Sequence, residues 1–392
     1  MSSSEEQRLD LARVRGREAV LALAGEAAKD PMPLTCRPPP PAEPFDYGDL
    51  VSLGFLLRTI AAVTDGTSSV QQGLEALLRD RRQGLLWPYH TGTLVTCTDS
   101  ALVLQGFDDP DGVEALEVFA DGRGGYFPQL CSEEPERGKM VVTPRNRHWC
   151  QPDYGTTCLV SALRAQHGLR RKTAVKYLKR VYEDRSGLYF ANPYLVDWAL
   201  ARALQGAASA ADLRGRLAAD VLASMNEDGS FGRYEVAMST ALAILALVSL
   251  SAGEDALHGA RLRLADLMME DGRWPAGISF YSSVTVPRER FSGGMLARLM
   301  LGRRHGQLVW VRDTIHAISL YEDRHRMIST SLAVLALTQR PPPVEHDATP
   351  PTWRQGGCHP RYRCEDHVEY VANFALPPYS RQLPAVRDQQ ER

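Results

Sequence analysis

Apolar residues recur with a helical period along most of the chain. Leu53, Leu56, Leu57, Ile60 and Val63 fall on one face of a helix. Segments 98–104, 156–165, 195–204, 239–250 and 329–337 are rich in Ala, Leu and Val and apolar on more than one face. That is the pattern of a helix surrounded by other helices. Between them lie segments with a polar side. Residues 173–183 carry Lys176, Lys179 and Arg180, and residues 212–225 carry Arg214 and Arg216. These suit an outer layer facing water. Alternation of period two is confined to 278–286, which predicts a strand or an extended loop. The chain divides into a helical segment and proline-rich linker over 1–45, a helical body over 46–340, and a proline-rich tail over 341–392. The linker centres on Arg37-Pro38-Pro39-Pro40-Pro41, which no helix accommodates.

The turns between these segments repeat. An acid–Gly–x–aromatic phrase precedes an Ala/Leu-rich segment opened by Ser or Thr. It is clearest as Asp228-Gly229-Ser230-Phe231 followed by Ser239-Thr240, and as Asp271-Gly272-Arg273-Trp274. Looser copies end on Tyr189, Tyr126 and Trp87. The aromatics are about 40 residues apart, with one wider gap between Tyr126 and Tyr189. A period of that length implies helix pairs in an array, because one pair cannot bury its own apolar face. The expected fold is all-α, an (α/α)6 toroid of two concentric rings of antiparallel helices. Inner helices running parallel would open their N-termini at one mouth. Tyr89, His90, Cys97, Asp99, Cys150, Asp153, Tyr154, Tyr189, Tyr194, Tyr234, Glu235, Phe280, Tyr281 and His325 would then gather there. Aromatic walls with few ionisable groups are the usual make-up of a ligand site.

Composition narrows the function classes. A net charge of −2 gives no global field for nucleic acid or an anionic membrane. No apolar run is long enough to span a bilayer, and the first residues lack the layout of a signal peptide. Seven cysteines at irregular spacing read as thiols or ligands, so a cytoplasmic protein is expected.

The phrases 225–232 and 268–274 resemble the repeat of squalene–hopene cyclases and their relatives, the class II diterpene cyclases and the β-subunits of protein prenyltransferases. The family's Gln, four residues before the Gly, is replaced by Met225, Met268, Glu183 and Asp80. Class II cyclases protonate an alkene or epoxide with the middle Asp of an Asp-x-Asp-Asp or Asp-x-Asp-Thr stretch. The best match is Asp153-Tyr154-Gly155-Thr156, in which Gly155 stands at the protonating position. Glycine carries no proton, so the resemblance implies a non-standard acid. Asp153 is the first candidate, Asp99 of the preceding repeat the second and Glu235 the third. Each can instead be a helix cap or a solvated loop acid. Trp87, Tyr89, Trp149, Tyr154, Tyr189, Phe231, Tyr234, Trp274, Phe280 and Tyr281 are candidates to stabilise a cation with their ring faces. About half of them are expected to plug gaps between helix ends instead.

Prenyltransferase β-subunits hold zinc at the same mouth, and the resemblance brings that possibility with it. His148 and Cys150 lie close to Asp153, and the tail holds Cys358, Cys364 and His367 within ten residues. Arg145 and Arg147 are placed for an anion before the Asp153 helix. The basic run Arg170-Arg171-Lys172 reads as a solvated face, and Asp108-Asp109-Pro110-Asp111 as a turn. The expected activity is that of a terpene-cyclase-like enzyme, an isomerase or lyase of the class II type. It would cyclise an isoprenoid or similar apolar substrate in the toroid cavity and need no cofactor. The alternatives are a zinc-dependent prenyltransferase-like enzyme and a non-catalytic binding module on the same fold.

Overall fold

The computed structural model describes residues 3–64, 68–89, 93–134, 139–286, 308–311, 314–341 and 358–376. Six helices form the centre: α2 (Leu50–Val63), α4 (Cys97–Leu104), α6 (Tyr154–Gln166), α8 (Pro193–Leu204), α10 (Val236–Leu250) and α12 (Met327–Thr338). Each packs against the next, and α12 returns to pack on α2, so the circuit closes. The centre of α10 has every residue from Ala237 to Ser249 buried, and α12 is buried from Met327 to Leu337. Helices apolar all round need neighbours all round.

The partners outside this circuit are α1 (Ser3–Ala27), α3 (Ser69–Asp80), α5 (Pro110–Ala115), α7 (Lys172–Arg180), α9 (Ala211–Leu222) and α11 (Glu254–Asp266). Helix α1 packs on α11, α12, α2 and α3, α7 packs on α6, and α9 spans α8 and α10. The basic run is tied to neighbours. Arg170 donates to the Ala203 carbonyl, Arg171 pairs with Glu117, and Lys179 pairs with Asp212. In the acidic stretch, Asp109 caps α5 by accepting from the Gly112 amide.

The repeated phrase is a device that locks an outer helix, a turn and an inner helix together. In the turns, Asp228 and Asp271 accept from the amides of Ser230 and Arg273. Gly229 and Gly272 take φ of 80° and 77°, a left-handed conformation that favours glycine. The aromatic amide then donates to a hydroxyl on the following inner helix. Trp87 reaches Ser100 at 2.9 Å, Tyr126 reaches Thr157 at 2.9 Å, Phe231 reaches Thr240 at 3.0 Å and Trp274 reaches Thr330 at 3.3 Å. The ring reaches back to the outer helix. The indole N–H of Trp87 donates to Leu78 of α3, and that of Trp274 to Leu264 of α11, each at 2.7 Å. The sequence distance from the aromatic to its Ser or Thr varies, from Phe231–Thr240 to Trp274–Thr330, so the lock is set by the fold rather than by a fixed spacing.

The expectation of an all-α fold is corrected by a five-stranded antiparallel sheet. Strand β7 (Thr314–Glu322) pairs with β5 (Ile278–Val286) along one edge, and with β1 (Thr35–Arg37) and β6 (Leu308–Val311) along the other. Strand β2 (Phe45–Asp46) completes it beside β1. A short parallel pair joins β3 (Cys131–Ser132) to β4 (Met140–Val141). Strand β5 is the segment whose alternation stood out. Strand β7 mixes Ile315, Ile318 and Leu320 with His316 and Ser319, an irregular alternation that hides its period in the sequence. The prolines at the linker's centre fall between β1 and β2, outside both strands, and β2 forms the edge of the sheet.

Residues Cys358–Leu376 lie against the body. They include α13 (His367–Tyr370) and a following π-type turn. Tyr370, Val371, Ala375 and Leu376 pack on Leu188, Ala191, Tyr281, Ile318 and Leu320. A buried charge cluster holds them: Tyr362 donates to Asp197 at 2.7 Å, and Arg361 donates to the Pro193 carbonyl at 3.1 Å.

Candidate active site

A cavity of about 600 Å³ opens at the N-terminal ends of α2 and α4. Leu50 and Val51 of α2 and Thr98, Asp99 and Leu102 of α4 form one side. Phe280, Tyr281 and Ser282 of β5 and Tyr321 of β7 form the other. Tyr47, Tyr89, Trp149 and Tyr189 close it from the loops. The rings touch: Tyr47 lies 4.4 Å from Tyr321 and 5.9 Å from Tyr89 between centroids, and Trp149 lies 5.9 Å from Tyr189. Tyr189 has φ of 77°, a strained value for a bulky residue. Sheet pairing holds it there, since its carbonyl accepts from the Tyr281 amide at 2.8 Å.

Asp99 lies on this wall, which also includes Asp46. It stands in the first turn of α4, half-buried, and Thr96 caps the helix by accepting from the Asp99 amide at 3.3 Å. The Thr96 hydroxyl in turn donates to Asp99 Oδ2 at 2.6 Å. Asp99 acts on its surroundings. Burial first, and then its negative charge, push the phenols of Tyr89 and Tyr189 above their usual range. Tyr47 is shifted upward by burial, by Tyr321 and by Asp99.

Asp153 does not line the cavity. It is fully buried as the cap of α6, accepting from the Thr156 amide at 2.7 Å and the Leu188 amide at 3.0 Å. Burial raises its pKa to about 6 against the opposing pull of those amides. The motif's protonating position is closed as well. A Cβ on Gly155 would fall 2.6 Å from the Phe190 ring, which lies tilted 6.1 Å from the Phe280 ring. Glu235 is an anchor. Held at φ of 48°, it accepts from the Ile278 amide and lies 3.0 Å from His367 Nε2, joining α10, β5 and the tail.

The ten aromatic candidates separate into two sets. Tyr89, Trp149, Tyr189, Phe280 and Tyr281 line the cavity. Trp87, Phe231 and Trp274 are buried in the turn locks described above, and Tyr154 donates to the Leu178 carbonyl of α7. Tyr234 packs against His367 at 4.4 Å. Of the other mouth residues, Cys97 is buried in α4, and Tyr194 donates to Ser224. His325 sits beside Arg324, and His90 lies outside the described residues. Arg145 and Arg147 are exposed and absent from the described wall. Tyr47 and Tyr321 were missed as site residues. Tyr47 stands just before an inner helix, the rule that found Tyr89, whereas Tyr321 comes to the wall only through strand pairing.

The residues considered for zinc do not converge. His148 packs edge-on to His316 at 4.9 Å. Burial lowers the His148 pKa to about 3 and the His316 pKa to about 4. Cys150 lies beside Cys131, whose thiol it pushes upward. The sulfur of Cys358 faces the His359 carbonyl, that of Cys364 faces the Pro360 carbonyl, and His367 faces Glu235. Among the described residues, no three His, Cys, Asp or Glu side chains are grouped to hold an ion. The set does not fit a zinc site.

The chain shares its fold with type II terpene cyclases. The type II terpene cyclase MstE from Scytonema, in a variant bound to its substrate geranylgeranyl dihydroxybenzoate, superposes with a TM-score of 0.60 at 15% identity. The match covers 85% of this chain and 98% of that one. The apo form of MstE gives 0.58 at 16% identity, over 83% and 98% of the two chains. A protein from Actinoplanes gives 0.58 at 16%, over 84% and 98%. No family model matches the sequence. No curated protein matches it either.

Proposed function

We propose that this protein is a class II terpene-cyclase-like enzyme that cyclises an isoprenoid chain by protonation, with Asp99 as the acid. Its body is an (α/α)6 toroid, completed on the outside by the N-terminal helix. The carrying observation is the position of Asp99, the half-buried carboxyl on an aromatic wall. In its neutral form Asp99 gives its proton to a terminal alkene carbon. The π pair forms the new C–H bond and leaves a cation on the adjacent, more substituted carbon. Further alkenes attack in turn, and loss of a proton from the last cation restores the balance, so product and substrate are isomers. The faces of Tyr89, Trp149, Tyr189 and Phe280 attract the travelling positive charge. MstE is described with a geranylgeranyl-bearing substrate and with merosterolic acid A as product, which supports a prenyl chain of comparable bulk here. The free thiols of all seven cysteines agree with a cytoplasmic location.

The test is incubation of the purified chain with C15 and C20 prenyl substrates, followed by mass spectrometry of the products. The expected product has unchanged mass and fewer double bonds, and disappears with Asp99→Asn in a folded protein. Full turnover by Asp99→Asn would remove the carboxyl from the mechanism.

A further inference from the structure

We propose that Cys131 and Cys150 form a modification site, a thiol pair that a small disulfide oxidises to a reversible cross-link beside the cavity wall. This stands apart from the cyclase reading and adds a redox input to the wall. The chain between the two cysteines brings them together. Cys131 on β3 pairs in register with Met140 on β4. The Met140 amide donates to the Leu130 carbonyl at 2.8 Å, and the Val142 amide to the Ser132 carbonyl at 2.7 Å. The chain then turns back. Asn146 accepts from the Thr143 amide at 2.7 Å, and its side-chain amide donates to the Val141 carbonyl at 2.9 Å. The helical turn Arg147–Trp149 follows, and the Cys150 amide donates to the Arg147 carbonyl at 3.1 Å. This path returns Cys150 to Cys131, and the two thiols are in hydrogen-bonding contact.

A disulfide needs its sulfurs at covalent distance, so oxidation draws the two segments together from contact. Both segments belong to the wall. Gln129 lies just before Cys131, Met140 is its strand partner, and Trp149 precedes Cys150; all three line the cavity. The Gln129 side-chain amide donates to the Met140 sulfur at 3.0 Å, and the Trp149 ring lies 5.9 Å from Tyr189. Whichever segment yields, a wall side chain moves with it.

Cys131 is half-buried and Cys150 buried, so an incoming disulfide such as oxidised glutathione meets Cys131 first. Cys131 loses its proton to water, and its thiolate attacks one sulfur and releases one glutathione thiolate. Cys150, deprotonated in turn, attacks the Cys131 sulfur and releases the second. The two protein thiols are oxidised, and one glutathione disulfide is reduced to two thiols, which take up the two protons. The Cys150 contact, and then burial, hold the Cys131 proton above the usual thiol range, which slows the first attack. An excess of reduced glutathione reverses both steps.

The full chain is incubated with oxidised glutathione, digested without reductant and read by mass spectrometry. The expected product is a cross-linked peptide pair joining Cys131 to Cys150, two hydrogens lighter than the free peptides and lost on adding dithiothreitol. Cys150→Ser should stop at glutathione attached to Cys131, and Cys36→Ser should leave the cross-link intact. The emission difference between wild type and Trp149→Phe should change on oxidation and return on reduction. Absence of the Cys131–Cys150 pair from the oxidised wild-type chain, or links scattered among other cysteines, overturns the proposal. A link that leaves the Trp149 emission unchanged overturns its coupling to the wall. The cross-link is read on the wild-type chain, so a variant that fails to fold does not remove the test.

Discussion

The hydroxyl of Thr96 donates to Oδ2 of Asp99 across 2.6 Å while its oxygen accepts from the Asp99 amide at 3.3 Å. One side chain therefore caps α4 and sets the rotation of the carboxyl. Thr96→Ser should keep both bonds and near-normal turnover. Thr96→Val loses them, and turnover should fall about tenfold or more with a shifted pH profile, since hydrogen bonds to a carboxylate favour its ionised form. Loss of the cap should cost about 1 kcal/mol, which urea unfolding would record. Equal pH profiles for Thr96→Val and wild type would reduce Thr96 to a cap.

Asp99 and Asp153 should part company in one experiment. Asp99→Asn should lower turnover by roughly 100-fold or more, the scale of general acid catalysis, with little change in melting temperature. Asp153→Ala removes the acceptor for the Thr156 and Leu188 amides. It should cost about 1–3 kcal/mol in stability. Activity per folded molecule should be kept in the variant. Thermal unfolding beside a product assay checks both.

The two sets of aromatics predict opposite phenotypes. Trp274 is fully buried, its ring against α1 at Gly16 and its indole bonded to Leu264. Trp274→Ala should cost about 3–5 kcal/mol. Trp149→Ala, on the cavity wall, should cost far less and change product distribution instead. Unfolding curves and product profiles of the two variants would show this.

Asp323 offers a pH test with a defined sign. It is fully buried, accepts from the amides of Met327, Ile328 and Ser329, and is pushed up to about 7 by burial. A carboxyl that holds its proton more tightly folded than unfolded stabilises the fold in acid. Its contribution is complete below the ordinary value of 3.8 and is lost as pH rises through about 7. Wild type should thus lead Asp323→Asn most near pH 4, and the lead should shrink toward pH 8 in urea unfolding. His148 and His316, lowered by burial, act with opposite sign: their contribution is complete above 6.5 and is lost as pH falls through about 4 and then 3. The difference between wild type and variant, rather than the wild-type curve, isolates Asp323.

The docked tail can be probed through Arg361, which is 1% exposed and lies 3.7 Å from the fully buried Asp197. Arg361→Ala leaves Asp197 with the Tyr362 hydroxyl and with Arg185 at 3.5 Å. The expected loss is about 3 kcal/mol. Combining it with Asp197→Asn should give much less than the sum of the single losses, as a double-mutant cycle would record.

Much of the helical body was legible in the chain because its signals are local. Ala/Leu-rich segments, apolar on more than one face, mark α4, α6, α8, α10 and α12. The acid–Gly–x–aromatic phrase marks the turns because a left-handed glycine and a buried ring impose chemistry at fixed spacing. Those same signals predicted Tyr89, Asp99, Tyr189, Phe280 and Tyr281 at one mouth, where all five line the cavity. The tertiary structure decided the rest. The sheet depends on pairing between β1, β5 and β7, which are far apart in the chain, and strand pairing leaves only a weak local trace. The choice among Asp99, Asp153 and Glu235 depends on which way each carboxyl turns. Asp153 and Glu235 are held by amides and a histidine away from the hollow, while Asp99, held by Thr96, lines it. Direction and company are properties of packed neighbours, and a linear pattern of residue types does not hold them.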